Sequence, residues 1–293
     1  MKINRLFITL ILFMLVTAPV MAQDSTDDPA TNYKTALDLV NAGKGSDGIP
    51  YLEKVLKTQS NYTNPAYSLL GSIYDKSNQP EKAIAVYKDG LKAYPQDQNL
   101  YFNLGIASFR NKQYAEAEAA AIEAIKLDPK HANSQRLYGL VCFHQNKRMN
   151  ALLAFCSFLL LEPNNARADE ATTNMQSILK GGVLKADGPV KTPPADAKET
   201  AALNNIIATT IAAGQAKKLN GNSLLEFQLK SIFTQAGQLS AKKADKTFFD
   251  KFYAGFFYQL AQSGNVPAFV KVITTKTEDA GLSDWVKGVG RGL

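Results

Sequence analysis

A period of 34 residues constrains this chain more than any other feature. The stretches "YSLLGSIYDKSNQPEKAIAVYKDGLKAYP", "YFNLGIASFRNKQYAEAEAAAIEAIKLDP" and "QRLYGLVCFHQNKRMNALLAFCSFLLLEP" align when the sequence is slid by 34, which brings Pro95, Pro129 and Pro163 into register. A fixed period of this length marks stacked supersecondary units, none of which can bury its apolar face alone. Each unit reads as two helices of about a dozen residues with a short turn between them. The prolines lie just beyond the second helix, where a fixed φ and a missing N–H stop it before the next unit begins.

Within the unit the apolar positions follow a helical spacing. A glycine recurs in the first helix (Gly71, Gly105, Gly139) and an alanine in the second (Ala83, Ala117, Ala151), so the two axes can approach closely where these small residues meet. One turn beyond each alanine stands Tyr87, Ala121 or Phe155.

On these residues the segment 64–163 resembles the tetratricopeptide repeat, in three clear copies: Leu70-Gly71, Ala83, Tyr87 and Pro95; Leu104-Gly105, Tyr114, Ala117, Ala124 and Pro129; Tyr138-Gly139, Ala151, Phe155 and Pro163. A degenerate copy precedes them over 31–63, with Tyr33, Ala36 and Leu39, though Pro50 and the lack of a closing proline depart from the pattern. A helix from Asn165 to Leu179, ended by Gly181-Gly182, supplies the cover that the last apolar face of a solenoid needs. The expected fold is therefore all-α, a helical-hairpin solenoid over 31–182. "GKGSDG" at 43–48 lacks the spacing of a phosphate loop and falls at the inter-helix turn of the degenerate copy.

The resemblance also implies a function. In this family the first helices line an inner groove that binds a peptide or helix of another protein. The corresponding positions here are Ser72, Asp75 and Lys76, then Phe102, Ile106, Phe109 and Arg110, then Arg136, Leu140, Phe143 and His144. Rings beside arginines suit an interface hot spot, which joins a large desolvated area to a forked donor. The same rings could instead be covered by the chain's own C-terminal helices. The two-carboxylate clamp of chaperone-binding relatives is not matched.

Residues 183–197, "VLKADGPVKTPPADA", hold three prolines and no helical period, and read as a linker between domains. Beyond it, 198–293 keeps a helical period in four or five segments separated by Asn, Gly and Ser. Phe248, Phe249, Phe252, Tyr253, Phe256, Phe257 and Tyr258 crowd one segment and cannot all face one side. The expectation is the central helix of a small bundle; a partner or a membrane surface is the alternative use of so many rings.

The N-terminus sets the expected compartment. Lys2 and Arg5, an apolar run from Leu6 to Val16, and Val20-Met21-Ala22 compose a secretory signal over 1–22 with cleavage after Ala22, followed by a disordered stretch at 23–30. A soluble periplasmic or secreted protein follows. The formal charge of +7 falls to +5 without Lys2 and Arg5, 31 basic against 26 acidic residues, and carries no basic block. Nucleic acid is not an expected partner.

Catalytic material is sparse. The chain has two histidines, and His131 reads as a solvated residue of an inter-repeat turn; no metal site, cofactor or catalytic set is expected. An enzyme in the C-terminal helices would have to use carboxylates such as Glu226 and Asp250, which no pattern selects. Cys142 and Cys156 lie on facing helices at adjacent depths, so a bridge is geometrically open, while the packing register favours two buried thiols.

Overall fold

The computed structural model describes residues 28–182, 194–276 and 279–289. The expected signal over 1–22 and most of the expected linker lie outside the described residues. The solenoid begins with α1 (Pro29–Asn41) and α2 (Ile49–Leu56), then pairs α3 (Thr63–Lys76) with α4 (Pro80–Ala93), α5 (Gln98–Arg110) with α6 (Tyr114–Leu127) and α7 (Ala132–His144) with α8 (Arg148–Leu161). The closing helix α9 (Ala166–Leu179) follows, and then α10 (Pro194–Ala216), α11 (Gly221–Ala241), α12 (Gly255–Gln262), α13 (Val266–Thr275) and α14 (Ala280–Val289). A π-helical turn, Asp250–Ala254, leads directly into α12.

The period seen in the sequence is visible in the backbone. Asn78, Lys112 and Asn146, 34 residues apart, each adopt φ of +57° just after a first helix. The next residue then turns its N–H back onto that helix: Gln79 to the Tyr74 carbonyl at 2.9 Å, Gln113 to Ser108 at 2.8 Å and Lys147 to Cys142 at 2.8 Å. Carbonyls that the helix end would leave unpaired are thus satisfied in the same way three times. Helix starts repeat too. Asp97 caps α5 by accepting from Leu100 N at 2.8 Å, and Asn165 caps α9 by accepting from Ala168 N at 2.9 Å.

The close approach implied by the glycines is real but has two forms. A Cβ at Gly139 would lie 2.7 Å from the Phe155 ring, and one at Gly71 would likewise strike the ring of Tyr87. At Gly105 the residue one turn beyond the alanine is the small Ala121, and the space is filled instead by Leu137 of the following repeat, whose Cδ2 would be 2.8 Å from the added atom.

Two expectations need correction. Helix α1 starts at Pro29, within the stretch read as disordered, because Asp28 accepts from Thr31 N at 2.8 Å and caps it. Pro50, a departure from the pattern in the degenerate copy, sits in the first turn of α2, where no intrahelical donor is required. Helix α10 starts at Pro194, so the last part of the expected linker is helical for the same reason: proline suits a helix start.

Among the described residues the interior falls into three clusters. Ala36, Leu52, Val55, Ala66, Leu70 and Ile73 fill the first, and Ala83, Tyr87, Leu100 and Leu104 belong to the second. The third is larger and runs without a break from Ala117 and Leu137 through Phe155 and Met175 to Phe233, Phe257, Phe269 and Leu282. The C-terminal helices therefore share a core with the last repeats. Cys142 and Cys156 are free and fully buried within it, the Cys156 thiol lying 3.9 Å from the Met175 sulfur.

Candidate binding groove

Helices α3, α5, α7 and α9 stand side by side, one from each successive unit. The equivalent positions on neighbouring units are therefore about 34 residues apart and close in space, and their polar side chains form a ladder. Arg110 pairs with Asp75; Arg136 donates to Glu170 at 2.7 and 3.2 Å; Arg167 donates to Asn133 at 2.9 Å; Asn64 donates to Asp97 at 2.7 Å. The groove arginines are thus held in place by the repeat next door. Lys76 is exposed at the end of α3, and Ser72 and Asp75 are half-buried on the same helix.

Between these rungs lie the apolar residues. Phe102, Ile106, Phe109 and Leu140 are each half-buried, packed below against the core while part of each side chain faces solvent. The Phe102 ring meets His131 edge-on at 4.9 Å. Phe109 meets His144 edge-on at 5.0 Å and Tyr114 at 5.7 Å, and Tyr114 stacks on His144 at 5.4 Å. The result is a pair of small aromatic clusters about two turns apart along α5.

Phe143 does not belong to this surface. Its register placed it in the groove, but it is 2 % exposed and sits edge-on to Phe155, 6.4 Å between ring centres. Phe143 lies one turn beyond Gly139, the residue against which the Phe155 ring packs, and is buried with that ring. His131 is likewise no solvated turn residue: it is half-buried, and its Nδ1 lies 2.8 Å from Gln98 Nε2 and 2.7 Å from Ser134 Oγ. Tyr114 and Glu170 were missed. Glu170 could have been found by adding 34 to Arg136, whereas Tyr114 comes from a second helix and carries no groove register.

The C-terminal helices dock elsewhere. Their hydrogen bonds, ion pairs and ring contacts to the repeats include those to Gln135, Tyr138, Asn146, Arg148, Asp169 and Leu179. Asn204 of α10 closes the turn between α7 and α8, donating to the Asn146 carbonyl at 2.7 Å and accepting from Arg148 N at 3.0 Å. The aromatic segment goes into this interface and its core. Phe249, Tyr253 and Phe257 are buried, and Tyr138 stacks on Tyr253 with 4° between the ring planes while Phe248 meets it edge-on. Asp250, one of the carboxylates available to an enzyme reading, is buried in an ion pair with Lys243 at 2.8 Å. No helix among the described residues is long and apolar enough to cross a membrane.

The tetratricopeptide repeat model matches three overlapping segments, 33–98, 68–132 and 102–157. Tetratricopeptide repeats are thus recognised over residues 33–157, and the fold is an all-α, TPR-like solenoid followed by a C-terminal helical region. A TPR repeat-containing protein of Pseudomonas aeruginosa is 26 % identical over 101 residues, 34 % of this chain and 17 % of that protein. The chain therefore spans about a sixth of the length of that relative. Among solved structures, MamA from Desulfovibrio magneticus RS-1 is 26 % identical at a TM-score of 0.43, covering 46 % of this chain and 76 % of its own. A tetratricopeptide repeat protein from Parabacteroides merdae is 12 % identical at a TM-score of 0.47, covering 84 % of this chain and 98 % of its own.

Proposed function

We propose that this protein is a non-catalytic scaffold that acts outside the cytoplasm and holds a peptide or helix of a partner protein along α5 and α7. One observation carries the reading: Phe102, Ile106, Phe109 and Leu140 form a half-buried apolar strip between pre-positioned ion pairs, while the C-terminal helices are anchored at other positions. Such a strip gives a bound segment desolvated area at little ordering cost, because the rings are already fixed by Tyr114, His131 and His144. Export rests on Lys2, Arg5, the apolar run Leu6 to Val16 and Val20-Met21-Ala22.

Photocrosslinking in living cells tests the groove. A benzophenone side chain at Ile106 should give a discrete partner adduct that the same group at the exposed Ala119 of α6 does not. Adducts absent from Ile106, or identical from both positions, reject the groove. Mass spectrometry of the protein from the producing cell tests export: a chain beginning at Gln23 supports it, and an intact Met1 rejects it.

A further inference from the structure

Where the edge of the solenoid meets the C-terminal helices there is a cleft of about 560 Å³. Pro129 and Pro163, two of the three prolines that mark the period, stand on one side of it. The rest of the wall is mainly apolar and comes from both halves of the chain: Leu160 and Leu161 of α8, Phe252 and Phe256 of the aromatic segment, Leu282 and Val286 of α14. We infer that this cleft is a binding site for a small, neutral, predominantly apolar molecule, one with a single hydrocarbon chain or fused ring and at most a hydroxyl at its polar end.

Size and chemistry together select that class. The volume falls within the range of roughly 300–1,000 Å³ typical of small-molecule pockets, which are mostly apolar and form preferentially where two structural units meet. It is far too small for a helix of a partner, whose diameter with side chains is about 10–12 Å. The deep polar atoms are already paired: the Tyr253 hydroxyl donates to Gln135 Oε1 at 2.6 Å, and Gln135 Nε2 donates to the Pro129 carbonyl at 2.9 Å. The inner wall therefore offers a ligand area rather than hydrogen bonds. The hydroxyls of Ser157 and Ser283 also line the cleft and suit one hydroxyl group. Asp128, Asp279 and Lys130 line it as well, and the first two are turned to local work, Asp128 accepting from Lys130 N at 2.9 Å and Asp279 from Leu282 N at 3.0 Å. Lys271 also stands 3.9 Å from Asp279, so two carboxylates meet two ammonium groups and the cleft favours neither sign of charged head, which leaves a neutral one.

A built-in reporter makes the test direct. The chain's single tryptophan, Trp285 of α14, lies 5.5 Å from the Phe256 ring that walls the cleft. Purified protein titrated with N-phenyl-1-naphthylamine, a neutral apolar dye, should show a saturable one-site rise in dye emission with a matching change in Trp285 emission. Dodecan-1-ol should displace the dye at least tenfold more effectively than dodecyl sulfate. The variant Ser157→Phe, which places a ring in the cleft from the half-buried face of α8, should weaken dye binding at least tenfold at an unchanged melting temperature. Val286→Phe on the half-exposed face of α14 gives a second plug should the first variant melt early. No saturable signal in the unmodified protein overturns the proposal, as do unchanged affinity in a well-folded plugged variant and displacement by the sulfate alone. None of these readouts depends on the groove or its partner.

Discussion

Tyr253 donates its hydroxyl to Gln135 at 2.6 Å across 118 residues of sequence, in the buried seam where the C-terminal helices meet the third clear repeat. Gln135 is 5 % exposed, so water can reach its Oε1 only by way of the cleft. Tyr253→Phe keeps the ring stacked on Tyr138 and removes only the donor. Leaving a buried acceptor unpaired costs about 1–3 kcal/mol, and chemical denaturation should show a loss of that size with an unchanged m-value.

Buried phenols, two of them in this seam, predict the alkaline limit of the fold. Burial pushes the phenols of Tyr87, Tyr138 and Tyr253 well above the usual tyrosine range. The unfolded chain releases these protons near pH 10, while the folded chain keeps them, so the folded state binds more protons and stability falls as pH rises beyond about 10. Below that pH these groups add no pH dependence. A melting temperature that declines above pH 10, less steeply in Tyr253→Phe, is the expected result.

Glycine substitutions should be graded rather than uniform. Gly139→Ala drives a Cβ to 2.7 Å from the Phe155 ring, which is wedged in the core, and overpacking of that kind costs about 1–3 kcal/mol. At Gly105 the obstacle is the end of the flexible Leu137 side chain, and the helix gains about 0.5–1 kcal/mol from alanine, so Gly105→Ala should be near neutral. Thermal melts of the two variants side by side check the difference; equal losses would contradict it.

Lys112 is the one lysine among three equivalent left-handed turn residues, the others being Asn78 and Asn146. Asparagine tolerates this conformation better than a long side chain does, and the left-handed region costs an ordinary residue roughly 1–2 kcal/mol. Lys112→Asn should therefore stabilise the protein, by up to about 1 kcal/mol, seen as a higher denaturation midpoint.

Much of this was legible because a repeat writes its packing down several times. Gly71, Ala83 and Pro95 recur as Gly139, Ala151 and Pro163, and the backbone repeats with them, down to one φ value at 78, 112 and 146. What was hidden has one copy only. Nothing periodic announces that Gln135 receives Tyr253 or that Asn204 caps the α7–α8 turn, so the shared core with the C-terminal helices could not be read from spacing. Phe143 shows the opposite failure. Its register was right and its environment was not, because the Phe155 ring beneath it turns a groove position into a core position.

That contrast gives the test of the groove. Phe143→Ala removes a fully packed ring and should cost about 3–5 kcal/mol, with early melting and increased binding of an exposed-surface dye. Phe102 and Phe109 are half-buried at the surface, and their alanine variants should keep the helical signal and melt close to the unmodified protein. Partner capture separates them further. Phe109 stands beside Arg110, whose guanidinium is held by Asp75, so a bound segment would meet a fixed ring and a fixed charge together. The double variant Phe109→Ala with Arg110→Ala should weaken the Ile106 photocrosslink at least thirtyfold in partner concentration, equivalent to about 2 kcal/mol for one hot spot. A crosslink of undiminished strength in that stable double variant would place the contact on another part of the solenoid.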